Sequence, residues 1–438
     1  MNRTIAATAL VLLAPAAAAQ AAPPGKWTKV TDDGPSTVEV GLARTADGTL
    51  HVLWPRDGSL VHSALSADAK TLSGPDTVVT YGGSMHTSSA LLAAGGSLRA
   101  MFAGLQGPVN EVLATATSAD GGRTWSAPSA VSNTAKGTKH VVHASVGLSA
   151  ATLPDGTPVS AWGSPDSGFH LGLDPSQLDG AFPGRALSDP GVGVDAQTGQ
   201  TVVAWNRIDD DGVAAMAVQP PGGQLVLPNS DAAQLQHTVG VTGRIGAPGV
   251  YIGYTVGTNE FTGRPAVIRF GSSKAVVLSK TPGARHMSIA AGPGGRMWAF
   301  WDRRGLIYAR RSNPTATVWG ATVAVKAAAS SIYDLTGEGS TGPLDVLART
   351  QRGSIADYHR RILPGLTITA KAGEGNKVTF KVTDAGARVP RAIVSIKGVK
   401  AKKTGKKGTA SFTLVGGWHT GTAKKQGYVP ASTGVKAH

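Results

Sequence analysis

The sequence predicts an all-β protein in two parts: a ring of seven small β-sheets built from a repeat, and behind it a short β-sandwich. Three observations carry that expectation. The 438 residues include 58 glycines and 26 prolines but only 5% aromatic and 16% charged residues, so short strands joined by tight turns are favoured over helices faced with Glu and Lys. Seven units of roughly 50 residues begin near Thr37, His86, His143, Asp189, His237, His286 and Ser331, a period in the range of propeller blades. A break at Pro364-Gly365 is followed by new alternating strand patterns over residues 366–438.

Taken in order, residues 1–21 carry a basic start at Arg3, an apolar run and a small-residue end at Ala19-Gln20-Ala21, which reads as a secretory signal peptide. The mature chain is expected to be secreted and monomeric, since no later run reaches the roughly 18 to 20 apolar residues of a membrane span. The absence of cysteine fits export without disulfides, and it excludes thiolate catalysis and Cys-ligated zinc. "GKWTKV" (25–30) aligns with "RTWSAP" (123–128) and "TVWGAT" (317–322), so it reads as a fourth strand with no blade before it. The seventh unit ends after its third strand at "YHRRILPG". Residues 26–31 are therefore expected to complete the last blade and remove an open sheet edge. Residues 26–363 form the propeller, with seven blades preferred to six.

Each unit opens with an alternating strand and a Gly-rich turn such as "ADG" or "PGG". Its second strand ends on Trp54, Phe102, Trp162, Trp205, Tyr254 or Trp301, with Ala348 in the last copy. A third strand follows, for example "LVHSAL" or "LIYARRS". In the second unit it leads into "SADGGRTW" (118–125), where Ser118, Asp120, Gly122 and Trp125 have a physical rationale. The short acid accepts backbone N–H bonds within the turn, Gly permits positive φ, and Trp packs between neighbouring sheets. Looser copies stand at 66–72 and 312–319.

On this motif and the repeat, residues 26–363 resemble the BNR or Asp-box repeat proteins, whose type members are sialidase-like propellers. The resemblance implies a glycan-directed protein. Within it, "SSIYDL" (330–335) is similar to the late tyrosine segment of sialidases and would make Tyr333 the nucleophile of an exo-acting glycosidase; the early Arg-Ile-Pro motif of that family does not occur.

In a propeller, the loop between second and third strands and the connection to the next blade open on one end, the mouth. The first loop set carries Arg56, Arg207, Asp302, Arg303, Arg304, Arg349 and Arg352; the second carries His86, His143, His237 and His286, the last preceded by Arg285. Planar guanidiniums suit carboxylate or sulfate, so the expected partner is an extracellular glycan or other polyanion, bound by Arg285, Arg56, Arg207, Arg303, Arg304, Arg349 and Arg352. If the site is catalytic, Tyr333, His286 and Asp302 are its candidates. Glycoside hydrolysis needs paired carboxylates or an activated nucleophile; a polysaccharide lyase on uronate-containing polymer needs a His or Tyr base beside an arginine. Non-catalytic adhesion or cell-envelope binding is the third reading. Recurrence of the histidines at one blade position points to a structural hydrogen bond within the blade, as in WD-repeat propellers. No cofactor or metal is expected: Asp209 and Asp211 in "DDDG" have the chemistry of a calcium loop, but they lack the spaced ligands and terminal Glu of an EF-hand.

Residues 366–438 carry 12 Lys and 2 Arg against Asp384 and Glu374, hence +12 of the net +15. Their strand patterns resemble bacterial Ig-like or carboxypeptidase-regulatory-like β-sandwich modules, and the run "KGVKAKKTGKK" (397–407) suits a cell-wall polyanion.

Overall fold

A computed structural model describes residues 26–31, 40–56, 58–80, 89–105, 111–130, 147–164, 168–171, 185–186, 190–208, 214–219, 239–257, 261–352 and 354–437. Residues 1–21, read above as a signal peptide, and His86, His143, Asp189, His237, Asp209 and Asp211 lie outside them. Among the described residues there is no α-helix, and no helix is long and apolar enough to cross a membrane.

Up to residue 362 the strands form small antiparallel sheets in chain order. The first joins Gly41–Arg44, Leu50–Arg56, Ser59–Leu65 and Leu72–Thr80; the second joins Ser89–Ala94, Ser97–Leu105, Glu111–Ser118 and Ser129–Ala130. The third and fourth are built on Pro158–Ser164 and Thr201–Ile208, the fifth on Val250–Val256. The sixth joins Arg285–Ala291, Met297–Arg303, Leu306–Arg311 and Val323–Lys326; the seventh holds Ser331–Glu338, Leu344–Arg352 and Ser354–Ile362. The first strand of each sheet lies against the first strand of the next, and that of the last against that of the first. This closed cycle is a β-propeller.

The glycine content is explained at the centre of the ring, where inner strands approach closely. A Cβ built on Gly191 would stand 1.9 Å from the Val239 carbonyl oxygen, and one on Gly243 would stand 1.8 Å from that of Val194. The aromatic residues that end the second strands fill the space between sheets. Trp54, Phe102, Trp162, Trp205, Tyr254 and Trp301 are all at most 2% exposed.

The seventh sheet is completed from the other end of the chain. Thr28–Lys29 pairs with Ser354–Ile362 in the register Thr28↔His359 and Lys29↔Tyr358, as the match of "GKWTKV" to two fourth strands suggests. Val30 N–H donates to the Asp357 carbonyl at 2.9 Å, and the Thr31 hydroxyl reaches the Asp357 carboxylate at 3.1 Å. A buried ionic cluster ties the seventh sheet to the first. The wholly buried Asp345 carboxylate takes Arg361 (2.8 and 3.0 Å), His359 (2.8 Å) and Arg44, which also reaches Glu338. Arg361 in turn donates to the Ala67 carbonyl of the first sheet at 3.0 Å. Burial alone would raise the Asp345 pKa; hydrogen bonds from His359 and Arg361 and the charge of Arg44 outweigh it and hold the carboxyl down at about 2.

Residues 366–437 form two four-stranded sheets around one core that includes Phe380, Phe412, Val394 and Val435. The junction is buried, not an open linker: Leu363 and Leu366 are 6% and 2% exposed, and Gly365 bridges to Ala321 and Val429. Asp384, 2% exposed, receives Arg311 and lies 3.4 Å from Arg296 in the sixth sheet; the Arg311 guanidinium also lies over the Tyr428 ring. These contacts involve turns on the end of the propeller opposite the mouth.

Candidate functional site

The mouth end is best described at the sixth and seventh sheets. Arg285–Ala291 is irregular between Arg285 and Ser288, and His286 sits there with φ +43°. The bulge turns its ring onto Asp302 of the adjoining strand, with Nδ1 2.7 Å from Oδ1, both side chains being under 10% exposed. Nδ1–H donates to the carboxylate, which leaves the lone pair of a neutral ring on Nε2. The bond is within one sheet, the behaviour of a structural histidine, yet it is also the arrangement that orients a base.

The sequence-predicted arginines are brought to different partners. Arg303 folds over Tyr308, with Cζ 4.8 Å from the ring centre and Nη2 3.0 Å from the hydroxyl, and Tyr308 stacks on Trp301. Arg349 makes a buried two-point pair with Asp357 at 3.3 and 3.1 Å. Arg285 is exposed opposite Asp302, and Arg56 is exposed at the end of its strand. Tyr333 is half-buried at a second irregularity, between Ile332 and Asp334. Arg207 pairs in register with Ala186 and Ala215, and Arg352 with Ser354.

Arg304 has the most suggestive surroundings. It and Gly305 form the two-residue turn between Arg303 and Leu306, both with positive φ (+49° and +73°), the geometry of a type I′ hairpin. The turn bounds a groove of about 970 Å³ between the sixth and seventh sheets, lined also by Trp27, Lys326, Ser330 and Tyr358. Trp27 is held by its indole N–H on the Lys326 carbonyl at 2.8 Å, and the Arg360 guanidinium lies 5.8 Å over its ring. No lining residue is acidic. Sequence reasoning placed Trp27 on a strand and missed it as a surface residue. The observed register, Thr28 opposite His359 and Lys29 opposite Tyr358, sets Trp27 beside Arg360, and a match between fourth strands does not give that register.

A second cleft, of about 900 Å³, opens on the opposite end between the first and second sheets and is lined by Asp47, His51, Asp76, Asp120 and Arg123. His51 and His62 are diagonal neighbours on paired strands, so their rings stack at 5.1 Å and share a 2.9 Å bond from Nδ1 of His51 to Nε2 of His62. Thr45 donates to Asp47 at 2.6 Å and so accepts from Nε2–H of His51 at 2.9 Å. Nδ1 of His51 must then accept from Nε2–H of His62. Burial pushes both pKa values down from 6.5 to about 4. The His62 ring fits against Gly122, whose built Cβ would stand 2.1 Å from it, and meets Trp125 edge-on. In that turn Asp120 accepts from Thr124 N–H and hydroxyl (3.0 and 2.7 Å) and from the Ser118 hydroxyl (2.9 Å), bonds that hold its carboxyl down at about 2. Ser118 accepts from Gly122 N–H at 2.8 Å, and Gly122 has φ +90°. Among the described residues no group of three His, Asp or Glu could hold a metal ion.

No family model matches the chain, and no curated protein matches it. Among solved structures it is similar to a lectin from Burkholderia pseudomallei, with 14% identity and a TM-score of 0.48 over 80% of this chain and 97% of that one. It is also similar to an ulvan lyase of a new polysaccharide lyase family (8%, TM-score 0.48, 77% and 96%) and to a Hadza microbial sialidase (13%, TM-score 0.36, 66% and 65%).

Proposed function

We propose that the chain is an exported, seven-bladed propeller that binds an anionic glycan at its mouth end, with residues 366–438 as an Ig-like sandwich behind it. The groove between the sixth and seventh sheets carries this reading. Trp27 and Tyr358 supply aromatic surface, Arg304 and Lys326 supply cations, and no lining carboxylate opposes an acidic ligand. A pyranose ring presents a flat apolar face to such a ring, while its carboxylate or sulfate takes the guanidinium fork. The test is a glycan array of paired neutral and acidic sugars. Acidic members are expected to bind, and Arg304→Ala or Tyr358→Ala to weaken them by about tenfold, near 1.4 kcal/mol. Equal retention of neutral and acidic members, or variants that bind like the parent, rejects the reading.

The His286–Asp302 pair favours turnover as a second reading. Oriented by Asp302, Nε2 of His286 would take the proton α to a uronate carboxylate while Arg285 neutralises that acid; the glycosidic C–O bond at the β-carbon breaks as the C=C bond forms, and the leaving oxygen takes a proton from water. Incubation with a polyuronate is expected to raise the absorbance of unsaturated uronate, and His286→Ala to abolish the rise while binding persists. Release of a fluorogenic sialoside instead would favour Tyr333 and hydrolysis.

A further inference from the structure

The outer face of the sheet formed by Val399–Lys403, Ile393–Ile396, Gly417–Lys424 and Ala431–Ala437 sets one exposed tryptophan among exposed lysines. Trp418, 77% exposed, stands opposite Lys436 in register. Its ring lies over Gly434: a Cβ built there would be 3.8 Å from Cζ3 and 4.0 Å from Cε3. The missing side chain leaves room for that edge of the indole beside the strand, and the rest of the ring stays exposed. Further along the same face come Thr420, opposite Gly434, and then Lys424 and Lys403, which flank Ile393. From Trp418 to Lys424 this row runs about 20 Å at roughly 3.4 Å per residue, long enough for several linked sugar rings.

Charge selects the occupant. The two acids of residues 366–438 are Glu374 and Asp384, and Asp384 is buried against Arg311 and Arg296, while Lys403, Lys424 and Lys436 are exposed on the face itself. Tyr428, docked on Arg311, follows the Lys424 end of the strand, so Trp418 stands at the end away from the propeller. We infer that this face is a second binding site, distinct from the propeller groove, on which an acidic polysaccharide stacks a pyranose ring on Trp418 and sets its carboxylates against Lys436, Lys424 and Lys403. An exposed indole in register with a lysine suits a flat sugar face that carries a carboxylate, and vesicle binding is the competing outcome of the test.

The test uses the full chain carrying Arg304→Ala/Tyr358→Ala, which weakens the propeller groove's share of the measurement. Polygalacturonate, its fully methyl-esterified form, duplex DNA and phosphatidylserine vesicles are compared as ligands in affinity electrophoresis and vesicle pull-down. Polygalacturonate is expected to bind best, the esterified polymer about tenfold more weakly, and Trp418→Ala to lose about tenfold, with Trp418→Phe restoring most of it. Because Trp418 is exposed, these variants should melt with the parent. Polygalacturonate binding unchanged by Trp418→Ala overturns the inference, as does Trp418-dependent binding of DNA or vesicles in its place. Loss of binding on Arg304→Ala/Tyr358→Ala alone would overturn it and leave the propeller reading standing.

Discussion

Acidification should weaken this fold through His51 and His62 before most carboxylates titrate. Both rings are 2% exposed or less, and their pKa values fall from 6.5 to about 4. His51 faces the charges of Asp47 and Arg44; His62 faces Asp76, at 3.8 Å, and Asp120. In the unfolded chain both imidazoles take up protons as the pH drops below 6.5, whereas in the folded protein they stay neutral until about 4. Stability is therefore complete above 6.5 and declines as the pH falls towards 4. Counting one ring of the coupled pair, that shift is worth about 3 kcal/mol. With an unfolding entropy of about 2 cal/mol/K per residue over roughly 340 residues, it lowers the melting temperature by about 4 °C. The control is His51→Gln/His62→Gln. It should start less stable because the stacked pair is lost, but its melting temperature should follow pH less steeply. Melting curves of both proteins from pH 7.5 to 4.5 measure this. A gap between them that stays constant across the range would refute the assignment.

The other expectations concern ring closure. Deleting residues up to Ser36 removes the strand that covers Ser354–Ile362, and the burial of Val30 alone contributes about 1.5–2 kcal/mol; the product is expected to melt earlier and to aggregate through the opened edge, and an equally stable, monomeric product would refute this. Asp345→Ala leaves Arg44, Arg361 and His359 around an empty buried position and should cost about 3–5 kcal/mol in chemical denaturation; a loss below 1 kcal/mol would show that water reaches the cluster.

Much of this fold was legible in the sequence because β period, turn chemistry and repeat agree. The aromatic ends of the second strands and the third strands fall where the pattern sets them, since each aromatic packs against the preceding sheet and that contact recurs with the repeat; Lys377–Asp384 follows its own alternation. What was missed follows from neighbours that the repeat does not encode. "GWHTGTAK" lacks the alternating apolar residues of a strand because Gly421 stands where one is expected; a Cβ there would come within 2.2 Å of the Phe380 ring. The lysine run has no alternating apolar residues to mark a strand, yet Val399–Lys403 is an edge strand, a place where exposed lysines discourage further pairing. His51 and His62 escaped notice because their pairing depends on a diagonal across one hairpin and not on the repeat.

The candidate groove was hidden for a different reason, which bears on how the protein works. Trp27 and the Lys326 carbonyl that fixes its indole are 299 residues apart, and only ring closure brings them together. The segment that seals the propeller thus also builds one wall of the groove. On the proposed binding at this groove, stability and affinity are linked at that strand, so loosening its pairing with Ser354–Ile362 should weaken the ligand before it unfolds the ring. Bound ligand should conversely hold the strand in place, raising the melting temperature of the parent but not of a chain that lacks residues 26–31. Equal stabilisation of both would locate the ligand elsewhere, on the mouth arginines or on the face of Trp418.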